Sequence, residues 1–318
     1  MKGGSTEMKL SDVMKKGMVF VMLFMFIGTE VCHATTMNHP TSMQPTNQGS
    51  TLYVGGSGPG NYSTIQEAID SASKGDTVYV YNRLSPYHEN LVIEKSIAIT
   101  GEKEEMPVIE GCGLGDVVTI SGDASSTKMT YFIVQHSDTS GIFIGFNLSD
   151  VTISNLILQD CQFGVHCWHA TTITVSNNII RDNGWGIVFE FTDHSQVSYN
   201  LIENNTQYGI VIDSSPANKV YSNEIRDNTV GLVPVRSLQN EIYHNNFIDN
   251  LHTQVTWKNS RSRWHENYWS DSRQHLLKRI YFIPGVFRSE TLNRQLLWIQ
   301  LDINTAATPW TIPYAGGG

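Results

Sequence analysis

The chain has 318 residues, 40% of them hydrophobic and 16% charged, which is enough apolar material for a sizeable core and excludes a wholly disordered chain. Its formal charge is −9 and no block of Lys or Arg follows the N-terminus, so nothing attracts a phosphate backbone and nucleic acid is excluded as a partner. Cys112, Cys161 and Cys167 are too few and too scattered to make a disulfide framework.

In chain order, Met14, Lys15 and Lys16 precede an apolar run from Met18 to Ile27, and Val31, Cys32, His33 and Ala34 follow it. These are the three parts of a secretory signal peptide over residues 1–34. The run is too short to span a bilayer comfortably, so a multi-span membrane protein is not expected. The alternatives are an uncleaved anchor and a lipid on Cys32, the latter opposed by Glu30 and Val31 where small residues are needed. Export would place the protein in the periplasm, at the cell surface or in the medium. Residues 35–50, rich in Thr, Pro, Gln, Asn and Ser, read as a flexible linker.

Folded structure is expected from about residue 51. Ser63, Thr64, Ile65 and Gln66 have the spacing of a capping box, and Ile65, Ala68, Ile69 and Ala72 recur with helical period before Gly75. One short amphipathic helix follows from that pattern. Beyond Gly75 the runs are short and β-branched, as at Thr77 to Tyr81, Leu91 to Ile93 and Ile97 to Thr100, so strands replace helices.

Three columns of residues then repeat in phase. Asn178, Asn200, Asn223, Asn245 and Asn267 step by 22 or 23 residues; Gly141, Gly164, Gly186, Gly209 and Gly231 keep the same step, as do Asp160, Asp182, Asn204, Asp227 and Asp249. A unit of that size cannot bury its apolar face alone and must stack on copies of itself. The expected fold is all-β, a right-handed parallel β-helix with coils of about 22 residues over 51–271. Stacking at strand spacing, ~4.8 Å, makes the Asn column a structural ladder that passes amide hydrogen bonds from coil to coil. The Gly column is expected to hold positive-φ turns and the Asp column to cap turn amides. Open ends of such a stack need covers. The helix suits one end, and residues 272–318, with Tyr281, Phe282, Ile283, Phe287, Leu296, Leu297, Trp298 and Ile299, suit the other as a C-terminal capping segment.

With these residues in place, the chain resembles the NosD-like branch of the pectin-lyase-like parallel β-helix proteins from about Ser63 to Pro313. The resemblance rests on Thr64 to Ile69 followed by Gly75 to Val78, on Tyr87, His88, Glu89 and Asn90, and on His244 to Phe247 with Asn267 to Asp271, Asp302 and Pro309. It implies a surface or periplasmic β-helix associated with carbohydrate binding or, in NosD itself, with copper delivery to a reductase. The segment before Asn267, from Ser260 to Glu266, is short and basic where the family carries a Gly-rich stretch.

Candidate chemistry follows from strand alternation. Counted from the Gly column, the first and third positions are apolar (Val165 and Cys167, Ile187 and Phe189, Ile210 and Ile212) and point inward. The second positions, including Phe143 and His166, and the fourth, Trp168, Glu190 and Asp213, then point outward. An aromatic platform beside carboxylates on successive coils is what a sugar site needs, and His169, Asp193, His194 and Arg236 can flank it. The same residues also suit an ordinary solvated strand face. The expected function is a non-catalytic β-helix that presents this face to polysaccharide or cell-surface glycan. The enzymatic alternative is a polysaccharide lyase or glycoside hydrolase using Glu190 and Asp213. The metal-handling alternative is copper-site maturation through Met37, His39 and Met43. No cofactor is required; copper or calcium are the ions the available donors suit.

Overall fold

The computed structural model describes residues 49–271, 275–277, 280–289 and 294–314. The signal segment, nearly all of the linker, and Met37, His39 and Met43 lie outside the described residues. Within them the chain is a parallel β-solenoid of about ten turns with one α-helix. Each coil contributes short strands to three faces. On the first face Ile153, Val175, Val197, Val220, Ile242 and Trp264 pair in register, coil upon coil. On the second, Leu158, Ile180, Ile202, Ile225, Phe247 and Trp269 do the same. The third carries Val165, Ile187, Ile210 and Leu232. All three rows are buried and form one continuous core.

The Asn column forms a hydrogen-bonded ladder. In every link the backbone N–H and the Nδ2 of one Asn donate to Oδ1 of the next, from Asn178 through Asn200, Asn223 and Asn245 to Asn267, at 2.9–3.0 Å. Each ladder Asn is fully buried. A second ladder, which sequence reasoning missed, runs through Asn183, Asn205, Asn228 and Asn250 at the next corner.

Two columns play roles other than those expected. The residues in the left-handed region are Asp160, Asp182, Asn204, Asp227 and Asp249, with φ of 47–55°. They sit immediately before the second ladder, and what they supply is backbone conformation, which short Asn and Asp side chains tolerate. Gly164, Gly186, Gly209 and Gly231 are not in that region. They are Gly because successive coils touch there: a Cβ on Gly186 would lie 2.5 Å from the Gly209 carbonyl oxygen, and one on Gly164 2.6 Å from that of Gly186. Gly186→Ala is therefore expected to cost about 1–3 kcal/mol through forced coil separation, read as a lower urea midpoint; an unchanged midpoint would show that the coils can part there freely.

The helix Ile65–Ser71 covers the first coils. Thr64 accepts from Glu67 N–H, and Glu89, reaching from the coil above, accepts from the N–H groups of Ile65 and Gln66, both at 2.9 Å. Burial pushes the Glu89 carboxyl up, opposed by those two hydrogen bonds.

The far end is closed by an antiparallel hairpin, Ile280–Ser289 with Arg294–Ile303. It joins the last coil through Trp257 beside Gly285 and Trp264 beside Asp302. Ile283 is buried, whereas Ile299 is half exposed and faces away from the stack. The contact with the last coil is instead partly polar. Gln300 accepts from Trp264 Nε1 and Ser262 N–H, and Asp302 Oδ2 accepts from Asn267 N–H, Asn267 Nδ2 and Trp269 Nε1. The Asn ladder thus ends on a carboxylate.

Candidate functional site

The third face holds most of the sequence-predicted site residues. Strands Ile157–Trp168, Trp185–Glu190, Tyr208–Asp213 and Val230–Val235 lie in parallel register. That register aligns Phe143 with His166 and Val188, and Trp168 with Glu190 and Asp213. The residues come together as the alternation requires, but the face is not solvated throughout. His166, Val188, Val211 and Val233 point away from the core and are nonetheless buried, and Asp213 is only 2% exposed. Outward direction on a strand does not settle exposure.

Each carboxylate has its own partner. Glu190 Oε2 lies 3.0 Å from His166 Nε2, and Phe143 and Phe163 pack against the same imidazole. Asp213 is gripped by Arg236 through Nε at 3.0 Å and Nη2 at 2.5 Å, with Ser214 also donating to Oδ1. Glu190 and Asp213 are register partners on adjacent strands, and the Arg236 guanidinium offsets the repulsion between two carboxylates so placed. Asp193 accepts from Thr171 at 2.5 Å and from His194 at 3.1 Å, and these contacts, Thr171 first, hold its carboxyl below the usual range.

Beside Glu190, at the corner that follows the third face, an aromatic patch crosses three coils. His169 stacks on Phe191 at 4.5 Å, Trp168 meets His169 edge-on at 4.8 Å, and Phe146 contacts both Trp168 and His169. Phe146 and Phe191 are 54% and 46% exposed. Left-handed backbone at His169 and Phe191 turns this corner. Phe146 and Phe191 escaped sequence reasoning although a signal was present: with His169 they occupy the fifth position after the Gly column. Such a patch can cover the apolar face of a hydroxylated ring, while Glu190 at its edge accepts hydroxyl hydrogen bonds.

Other imidazole–carboxylate contacts lie elsewhere on the solenoid. Glu110 meets His136 at 2.7 Å and His88 at 3.6 Å, and Glu266 meets His244 at 2.5 Å. A concavity of about 670 Å³ near the C-terminal cap is lined by Glu266, Thr305, Thr308, Pro309 and Trp310. Among the described residues, no three His, Cys, Asp or Glu side chains converge to hold a metal ion. Burial pushes the Cys161 thiol up to about 12 and raises that of Cys167 as well, so neither is a ready thiolate. No described helix is long and apolar enough to cross a membrane.

Comparison with solved structures returns parallel β-helices. Pectate lyase Pel9A superposes with a TM-score of 0.54 at 12% identity, covering 69% of this chain and 70% of that one. The A-module of mannuronan C-5 epimerase AlgE6 of Azotobacter vinelandii gives 0.48 at 15% identity, covering 64% and 71%. Tailspike protein 2 of the Escherichia coli O157:H7 bacteriophage CAB120 gives 0.48 at 14%, and the chain spans 33% of its length. No curated protein sequence matches the chain. The profile of the family described as periplasmic copper-binding protein (NosD) matches residues 69–283, more than half of the sequence, and on that match the chain belongs to the NosD family of parallel β-helix proteins.

Proposed function

We propose that this protein is an extracytoplasmic β-helix that binds polysaccharide or cell-surface glycan without cleaving it, through the corner formed by Phe146, Trp168, His169 and Phe191. The observation that carries the reading is the exposed aromatic patch with Glu190 at its edge. A polymer lying along the solenoid axis meets a ring on each successive coil there. Catalysis by Glu190 and Asp213 together is disfavoured because Asp213 is buried and held by Arg236, which removes it as the second carboxyl group of a pair.

The test is retention on a panel of immobilised acidic and neutral polysaccharides, with release of new chain ends followed in parallel. Retention without new ends is expected, and Trp168→Ala is expected to weaken it roughly tenfold, the scale of one lost aromatic contact. Glu190→Gln should leave the absence of cleavage unchanged. New chain ends that vanish in Glu190→Gln would make the protein an enzyme.

Family membership favours a second reading, metal handling. The described residues do not fit a resident copper ion, since no donor group converges and the two buried thiols face the core. Met37, His39 and Met43 supply soft and imidazole donors outside the described residues, and that reading rests on them. It requires stoichiometric copper uptake that His39→Ala abolishes.

A further inference from the structure

We propose that the glycan taken by the aromatic corner is uncharged, a polymer of neutral sugars and not a polyuronate, a sulfated chain or a polyamine; this rests on the corner being a glycan site. The coils that carry the patch are one-sided in charge. Residues 141–213 hold seven Asp and Glu but a single Lys or Arg, Arg181. Arg181 lies on the second face, in register with Gln159 and Glu203, and its guanidinium donates to Gln159 Oε1, so it is engaged away from the corner. The carboxylates are not. Glu190 pairs in register with Trp168, Asp150 follows Phe146 by four residues, and Asp193 follows Phe191 by two. Thr172 donates to Asp150 Oδ1 at 3.0 Å and Thr171 to Asp193 Oδ1 at 2.5 Å, which holds those two side chains on adjacent coils. The patch is thus flanked by Glu190 before the turn and by Asp150 and Asp193 after it.

The described cations around this corner are engaged or farther out. Arg236 clasps Asp213. Lys258, in register with Val235, stands three coils beyond Glu190 in the same row, ~14 Å at strand spacing, against a screening length of about 8 Å at physiological salt. Lys95 donates to the carbonyls of Asp70 and Ala72, and Lys128 and Lys219 stand on the first face, in register with Thr152 and Gln196. An anionic polymer laid on the rings would bring its charges to Glu190, Asp150 and Asp193 with no cation placed to meet them, and like-charge contact of that kind rejects a partner sharply. A polyamine finds no carboxylate in need of a partner, because His166 already lies 3.0 Å from Glu190, Thr172 bonds Asp150, and Thr171 and His194 bond Asp193. Recognition is left to ring faces and hydroxyl hydrogen bonds, which a neutral sugar supplies.

The experiment measures retention of the full chain on immobilised polymers that share a backbone and differ in charge: polygalacturonate with its methyl ester, polymannuronate with mannan, and chitosan with chitin, alongside neutral β-glucans. It is run at pH 8, because imidazoles ordinarily charge between pH 5 and 8. Retention that Trp168→Ala weakens about tenfold is expected for neutral polymers only, and it should not change between about 0.02 M and 0.5 M salt. Asp150→Asn together with Asp193→Asn, where Asn tolerates the left-handed backbone of Asp150, should narrow the preference for the neutral member of each uronate pair at least about threefold at the lower salt. A polyuronate or polyamine held through Trp168 as tightly as the neutral polymers overturns the inference and leaves the glycan site standing. An unchanged preference in the double variant overturns it as well, since the discrimination would not come from these carboxylates. Retention on none of the polymers overturns the glycan site itself and the inference with it.

Discussion

Asn223→Ala is expected to destabilise the solenoid by about 4 kcal/mol or more, a loss reserved for buried networks rather than surface contacts. Asn223 is fully buried and its side chain takes part in five hydrogen bonds. Its Oδ1 accepts from Asn200 N–H and Nδ2, and its Nδ2 donates to Asn245 Oδ1 and to the carbonyls of Val197 and Tyr221. Truncation removes all five bonds and leaves the Asn200 N–H without its acceptor in a site that water cannot easily refill, at roughly 1–3 kcal/mol for each buried group left unpaired. Loss of strand pairing should follow on both sides, because each coil is held only by its neighbours. Urea unfolding followed by far-UV circular dichroism measures the effect. A loss under about 1 kcal/mol would mean that solvent enters the corner and replaces the ladder.

The second large effect is a pH dependence centred on Asp302. Burial raises its carboxyl from 3.8 to about 7, against the hydrogen bonds from Asn267 and Trp269 that favour the charged form. Oδ2 is fully engaged, but Oδ1 is buried without a partner. Between pH 4 and 7 the folded state keeps a proton that the unfolded chain has released, so stability is highest below this window and falls as pH rises through it. A shift of that size corresponds to about 4 kcal/mol. Asp302→Asn should therefore be more stable than the parent at pH 8 and flatten the profile, with the two proteins converging near pH 4. Thermal melts at pH 4, 6 and 8 check this; parallel profiles would show that Oδ1 finds solvent. Asp193, whose carboxyl is lowered, works in the opposite sense, and comparing the two proteins cancels its contribution.

Translation of one coil onto the next was legible because it imposes itself on every column at once. Val175, Val197, Val220 and Ile242 had to be apolar together, and Asn178, Asn200, Asn223 and Asn245 polar together. What a column does was less legible than that it exists. A repeated Gly satisfies either a left-handed turn or a close approach, and the sequence does not distinguish them; at Gly186 it is the approach. The second ladder was overlooked because Asp182, Asn204 and Asp227, which set the turn, stand next to Asn183, Asn205 and Asn228, which make the bonds. At the candidate site, alternation placed Trp168, Glu190 and Asp213 in one row. It could not reveal that Arg236 reaches from the following coil to bury Asp213, because that depends on a turn conformation.

The ladders also give the stack a direction. Every N–H and Nδ2 link to an Oδ1 points from an earlier coil to a later one, so the aligned amides add up as they do in an α-helix, with the positive end at the C-terminal side. The two ends of the solenoid are chemically unlike: one offers acceptors, the other donors. An acidic residue at the donor end, as Asp302 is, does for the solenoid what an acidic N-cap does for a helix, and a lysine in its place would face both burial and the opposing dipole.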